Sequence, residues 1–184
     1  MPINLPLEQM LAIHTAEKGR RFSFMPKDGG EFEVEATNII TGERVWKETH
    51  HNLLTKHFRD MMGRSFNPGC YLFVSNDEKP MNVRKDHVRA TYFNVMSNAV
   101  SSKTINVPSR TWTYTGTIPV PTTGHVRPFR TVGIASLQEQ SYAANCRSVW
   151  TIIAATLLSE MRTQDALTVI SINYRLAWEE GHNV

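Results

Sequence analysis

The sequence predicts a mainly β fold, an antiparallel β-sandwich with one or two short helices and an N-terminal arm. Two observations support this prediction. Apolar and polar residues alternate over several short segments, as they do in half-buried strands. Turn residues rather than long helical stretches separate these segments, which favours antiparallel sheets. With 184 residues, of which 41% are hydrophobic and 20% charged, the chain can bury one independent core.

The first residues of the chain differ from the rest. Residues 6–19 carry apolar side chains at helical spacing and end in a glycine, which predicts a short amphipathic helix. We therefore divide the chain into an N-terminal arm, residues 1–21, and a single β-sandwich domain, residues 22–184. Because so short a helix is marginal alone, its apolar stripe is expected to dock on the domain or on a neighbouring chain. The predicted interface residues are Leu7, Met10, Leu11, Phe22 and Phe24.

Three strands and a second helix are predicted in the next part of the chain. The first strand alternates apolar with acidic residues, and its acids are expected to face water, with ordinary pKa values, as at a solubilising edge. Its residues are Glu31, Phe32, Glu33, Val34, Glu35 and Ala36. A turn signal at 41–43 leads into a second strand over 44–49, which predicts a hairpin. Asn52 is expected to cap a helix over Leu53–Met62, and the apolar run Cys70–Ser75 predicts a buried strand.

Four further strands are predicted in the second half of the chain, over 110–118, 130–137, 149–158 and 166–178. Alternation is clearest in the first and the last of them. The residues that share one face are Trp112, Tyr114, Gly116 and Ile118 in the first, and Ile170, Ile172, Tyr174, Leu176 and Trp178 in the last. Residues 81–107 show no clear period. Seven strands or so are therefore expected in total.

Motifs of common catalytic sites do not occur in the sequence. It contains no glycine-rich phosphate loop and no nucleophile elbow. Its densest group of metal-ligand residue types is His50, His51, His57 and Asp60, which matches no established ligand spacing. Surface and helix-cap histidines are the simpler interpretation. We therefore predict no enzyme and no catalytic residue, cofactor or metal site; the alternative is a metal-dependent hydrolase using this group, or a glycan-degrading domain.

Charge and composition argue against two other partners. A net charge of +3 with scattered basic residues predicts no specific binding of nucleic acid. Trp112 and Tyr114 beside Arg110 could stack on bases, but their spacing suits a core face better. No apolar stretch is long enough to cross a membrane as a helix and no export signal is recognisable, so no membrane partner is expected. Cys70 and Cys146 are then expected to be free thiols.

The order of five segments resembles a layout of tailed-bacteriophage structural proteins. From Val45 the chain reads VWKETHHNLLTKHFRDMM and later CYLFVSN, similar to the strand, H-N-L entry, short helix and buried strand of that class. The segments TVGIASL, VWTIIAATLL and LTVISINYRLAW resemble the strands that close those proteins. The resemblance runs from Glu43 to Trp178 and depends on the order of the segments.

This resemblance implies a structural protein of a phage virion, in the tail, baseplate, neck, collar or fibre-attachment region, assembled in the host cytoplasm. Its partners would be copies of itself, as a trimer or hexamer, and other virion proteins. If the arm mediates these contacts, deletion of residues 1–20 abolishes assembly and leaves the domain folded. The alternative is a host-surface or carbohydrate-binding module of a tail fibre, with Trp112 and Tyr114 in an exposed groove.

Overall fold

The structure is a computed structural model that describes residues 24–53, 70–78, 94–106, 109–140 and 147–180. Within these ranges the chain forms nine strands and no helix. The strands are β1 (Phe24–Asn38), β2 (Arg44–Leu53), β3 (Cys70–Ser75), β4 (Val95–Val100), β5 (Ser102–Asn106), β6 (Thr111–Ile118), β7 (Arg127–Gln140), β8 (Arg147–Gln164) and β9 (Thr168–Glu180). The predicted mainly β fold with antiparallel sheets is confirmed.

The nine strands form two sheets in which neighbouring strands are antiparallel. The five-stranded sheet has the order β2-β1-β9-β6-β5, and the four-stranded sheet has the order β4-β3-β7-β8. The chain passes from one sheet to the other at Ser101, between β4 and β5. There the Ser101 amide and hydroxyl both donate to the Cys70 carbonyl oxygen, at 2.9 and 2.8 Å. A strand that changes sheets at a bend is a common way to close a corner of a sandwich.

The core lies between the two sheets. Its largest fully buried side chains are Phe32, Leu72, Trp112, Ile118, Phe129, Ile134, Ile153, Leu158, Ile170 and Tyr174. Aromatic rings cluster within it: the Phe32 and Tyr174 ring centroids are 4.4 Å apart, and those of Tyr114 and Tyr174 are 6.4 Å apart. The alternation in the sequences of β6 and β9 predicted this buried position for Tyr114 and Tyr174.

Strand β3 and the parts of β7 and β8 beside it are buried on both faces. Leu72 and Val74 of β3 point into the core, whereas Phe73, on the opposite face, is only 2% exposed. Ala135 and Ile152 lie on that same outer face and are buried as well. A strand covered on both sides needs no polar face, which is why Cys70–Ser75 reads as a continuous apolar run.

Gly133 of β7 lies directly across from Phe73, whose ring occupies the space above the glycine. A Cβ atom at residue 133 would collide with this ring and would stand 2.9 Å from the Ala154 carbonyl oxygen. We expect Gly133→Ala to lower the free energy of unfolding by about 2 kcal/mol, since neither obstacle can move freely in a packed layer. Urea denaturation measures this.

The matched control for that substitution is Gly116→Ala in β6. The added methyl would contact the end of the Leu72 side chain at 3.0 Å and the Val100 carbonyl oxygen at 3.3 Å, so a small shift relieves it. We expect a loss of less than about 1 kcal/mol. Equal losses at both glycines would mean that the Phe73 ring does not constrain residue 133.

Several predicted element boundaries were wrong. Asn52 and Leu53, predicted to start a helix, are the last residues of β2 and pair with Gly30 and Gly29. Cross-strand pairing with β1 therefore extends the second strand past its predicted end at residue 49. Strands β4 and β5 fall where no element was predicted. The arm with its predicted helix over residues 6–19, and residues 54–62 of the helix predicted over Leu53–Met62, lie outside the described residues.

The acidic row of β1 was predicted to be a solubilising edge, and this was wrong. Strand β1 lies inside its sheet, between β2 and β9, and basic residues of both neighbours face the acids. The ion pairs are Glu31 with His51 and Arg175, Glu33 with Lys47, and Glu35 with Arg44. Hydrogen bonding to Lys47 is the largest cause that lowers the pKa of Glu33, so that carboxyl group does not have the ordinary value predicted.

Candidate functional site

Three chain connections lie side by side at one end of the sandwich. They join β1 to β2 (residues 39–43), β8 to β9 (residues 165–167) and β6 to β7 (residues 119–126). Because β1, β9 and β6 are adjacent in the five-stranded sheet, with β9 antiparallel to the other two, the end of β1, the start of β9 and the end of β6 meet there. Chain topology alone therefore brings distant segments together.

This end of the sandwich carries most of the exposed large hydrophobic side chains. Among the described residues nine such side chains are exposed, and six of them belong to these connections or stand directly beside them. These six, which we call the apolar end, are Ile39, Ile40, Val45, Val120, Val126 and Leu167. Ile40 is 74% exposed and Val126 is 65% exposed. Single exposed hydrophobic residues are common, but a concentration at one place indicates an interaction site.

Hydrogen bonds fix the backbone of the apolar end. The Ile39 amide donates to the Leu167 carbonyl oxygen at 2.9 Å and so joins two connections. The Asn38 side-chain oxygen accepts from the amides of Ile40 and Thr41, and Asp165 accepts from the Leu167 amide at 3.0 Å. A backbone that is already fixed loses little conformational entropy when a partner binds.

A buried glutamine joins the connection between β6 and β7 to the connection between β8 and β9. Gln164, fully buried, donates from Nε2 to the carbonyl oxygens of Thr168 at 2.9 Å and Ile118 at 3.4 Å. Its Oε1 accepts from Arg127 at 2.6 Å, and the same Arg127 nitrogen also donates to the Pro119 carbonyl oxygen at 2.8 Å. The apolar end is therefore a preformed surface rather than three independent loops.

A second group of interacting side chains lies where β2, at the edge of one sheet, meets β8, at the edge of the other; we call this place the seam. Opposite Arg130 of β7, strand β8 carries four residues, 158–161, so it bulges out of the ladder. The Ser159 amide in this bulge donates to Glu48 of β2 at 2.9 Å. Arg162 donates to the other carboxylate oxygen from Nε at 2.8 Å and from Nη2 at 2.5 Å. The Glu48 carboxylate thus gives the bulge amide of Ser159 an acceptor in place of a ladder carbonyl.

Two further side chains complete this seam. His50 Nε2 lies 2.7 Å from Glu48 Oε2, and the Arg162 guanidinium lies over the Trp46 ring, 4.9 Å from its centroid. Burial raises the pKa of Glu48, but hydrogen bonds from Ser159, His50 and Arg162 outweigh it and bring the value down to about 2. A carboxylate with so low a pKa is a poor proton acceptor. We therefore assign these side chains a structural role, which is to hold the edge strands β2 and β8 of the two sheets together.

Of the sequence-predicted interface residues, the structure describes Phe24, which belongs to neither group. Leu7, Met10, Leu11 and Phe22 lie outside the described residues. Phe24 is the first residue of β1 and pairs with Glu180 near the end of β9. It therefore lies at the end of the sandwich opposite the apolar end.

The residues considered for a metal site or for a carbohydrate-binding groove do not form such a site within the described residues. His50 and His51 are neighbours on β2, so their side chains point to opposite faces, toward Glu48 and Glu31. His57 and Asp60 lie outside the described residues, and the part that the structure describes holds no group of three potential metal ligands. Trp112 and Tyr114, predicted as groove residues in the carbohydrate-binding alternative, are 1% and 5% exposed.

Cys70 is a buried residue of β3. Burial raises the pKa of the Cys70 thiol to about 11, so this residue is a neutral core side chain; Cys146 lies outside the described ranges. Over the described ranges, no helix long and apolar enough to span a membrane is present.

Sequence reasoning did not find the apolar end, although a signal was present. The apolar pair Ile39–Ile40 directly precedes the turn residues Thr41 and Gly42, and Val126 follows Gly124 by two residues. Turn residues are normally polar because they face water. Aliphatic residues next to turn residues are therefore a signal of a contact surface. Which of them lie close together depends on the order of strands in the sheet.

Comparison of the chain with protein-family models, with curated proteins and with solved structures finds no match.

Proposed function

We propose that this chain is a non-enzymatic structural component of a phage virion, in the tail, baseplate, neck or collar region. It acts by associating with copies of itself and by docking to other virion proteins. The observation that carries the association with other proteins is the apolar end, where six large aliphatic side chains are exposed. The order of segments from Glu43 to Trp178, which resembles tailed-phage structural proteins, supports the assignment to a virion.

The physical character of the apolar end favours a protein partner over a small ligand. Small-molecule sites are concave and combine apolar walls with a few inward polar groups. Here the aliphatic side chains project outward from turns, and the nearby polar groups of Asn38, Gln164 and Asp165 bond to the protein's own backbone. The polar groups beside this aliphatic surface already have partners. Covering the surface with another protein is therefore favourable mainly because apolar area leaves water.

The carbohydrate-binding alternative has less support. Sugar binding by aromatic stacking would need exposed rings, whereas Trp112 and Tyr114 are buried in the core. The outer surface near them carries the hydroxyl groups of Thr113 and Thr115. This alternative therefore has no aromatic platform at the residues predicted for it.

Mass spectrometry of purified particles tests the assignment to a virion. Tailed particles released from a culture that carries the gene are purified by density gradient, and their proteins are quantified. We expect the chain in the particles at a fixed copy number that is a multiple of three. A chain abundant in the infected cells but missing from purified particles would contradict the proposal.

A further inference from the structure

We propose that the apolar end is the receptor for the N-terminal arm of a neighbouring copy, so that copies associate head to tail. This inference rests on the proposed function, because it names the surfaces through which self-association occurs. The occupant is the segment of residues 6–19, whose apolar stripe includes Leu7, Met10 and Leu11.

The position at which the arm joins the domain favours a neighbouring copy as the acceptor. Residues 1–23 precede the described fold and join it at Phe24, where β1 begins. Strand β1 then runs through 15 residues to Asn38, beside the apolar end. A strand rises by about 3.3 Å per residue, so roughly 50 Å separate the two places. The arm therefore leaves the domain at one end, and the apolar end faces away from it at the other.

The size of the surface favours a short segment over a whole domain. Stable interfaces between domains involve about 20–30 residues of all types on each side. The three connections at the apolar end, residues 39–43, 119–126 and 165–167, comprise fewer residues than that. Their exposed aliphatic side chains suffice for the two or three anchors of an amphipathic helix. Leu7, Met10 and Leu11 have the i, i+3, i+4 spacing of such anchors.

A head-to-tail contact uses two different surfaces of each copy. Such a heterologous interface yields a ring if the rotation between copies closes, and an open filament if it does not. A closed ring of three or six copies is what the proposed function requires. The arm of each copy would then occupy the apolar end of the next.

Two full-length variants that each lose one surface test this inference. Ile40→Glu places a charge in the apolar end, and Leu11→Glu places one in the arm stripe. Ile40 is 74% exposed, so its substitution leaves the domain folded. Val100→Glu is the matched control, because Val100 is 69% exposed but lies on β4, away from the apolar end. The molar mass of each purified chain is measured by light scattering.

Each single variant is expected to have the monomer mass of 20.9 kDa, whereas wild type and Val100→Glu form the oligomer. The decisive sample is the equimolar mixture of the two variants. Ile40→Glu keeps an intact arm and Leu11→Glu keeps an intact apolar end, so one contact can form and the mixture gives a heterodimer of twice the chain mass. Circular dichroism checks that all variants are folded.

Three results would contradict these expectations, and each identifies a different failure. A mixture that stays monomeric overturns the inference, because an intact arm and an intact apolar end would then be present on different copies without binding each other. An Ile40→Glu chain that still forms the oligomer also overturns it, and self-association would then use another surface. If wild type itself is monomeric at every concentration, self-association fails, and the proposed function fails with it.

Discussion

Trp112→Ala is expected to lower the free energy of unfolding by about 4 kcal/mol, the range found for deletion of large buried aromatic side chains. Trp112 is 1% exposed and stands on the core face of β6 beside Tyr114. The truncation removes a full indole from a layer packed between two sheets, and strands on both sides cannot collapse to fill the space. Equilibrium urea denaturation followed by circular dichroism measures the loss.

Thr113→Ala is the matched control for this substitution. Thr113 is the next residue on β6 and faces the opposite, half-exposed side, so its replacement should change stability by less than about 1 kcal/mol. These two substitutions also test the proposed function. If Trp112→Ala left stability unchanged and removed binding to a glycan array, the indole would be a ligand platform and the carbohydrate-binding alternative would replace our proposal.

Glu48→Ala is expected to lower the free energy of unfolding by about 3 kcal/mol. The Glu48 side chain is 11% exposed and accepts hydrogen bonds from the Ser159 amide and from two nitrogens of Arg162. Its loss leaves a half-buried guanidinium and a bulge amide without their acceptor, and the penalty for such groups exceeds the net value of the pair itself. Thermal and urea denaturation measure the change.

Glu160→Ala is the control that separates this seam from an ordinary surface ion pair. Glu160 also pairs with Arg162, at 2.5 Å, but its side chain is 66% exposed. Exposed pairs contribute little, so the loss should be about 0.5 kcal/mol or less. Equal losses for the two glutamates would show that Glu48 does not close the seam between β2 and β8.

The same seam predicts a pH dependence. Because the folded-state pKa of Glu48 is lowered from 4.5 to about 2, its contribution is fully present above 4.5 and is lost as the pH falls toward 2. The stability difference between wild type and Glu48→Gln is therefore expected to be constant above pH 4.5 and to shrink below it. A difference that instead grew on acidification would contradict the assigned role of the carboxylate.

Alternation in the sequence was sufficient to predict β1, β6 and β9. In β6 and β9 every second residue is apolar, and Trp112, Tyr174 and Leu176 lie in the core as expected. β4 and β5 could not be predicted this way. β4 exposes every second residue, among them Met96 and Val100, and β5 is an edge strand paired only with β6. Strands of this kind have no apolar face that alternation could reveal.

The candidate site was less predictable than the fold. Glu48 and His50 share the inner face of β2 with Trp46, but a charged residue on that face has meaning only because the bulge of β8 lies opposite. Ile39, Val120 and Leu167 belong to three connections that are distant in sequence. Which of them become neighbours depends on the strand order β1-β9-β6, and local patterns do not contain that order.

The most direct test of the account is the molar mass of the full-length chain in solution, measured by light scattering over a wide range of concentration. We predict a discrete trimer or hexamer of the 20.9 kDa chain whose mass does not rise further with concentration, as a closed ring requires. A monomer at every concentration would contradict the central claim that this protein works by associating with itself.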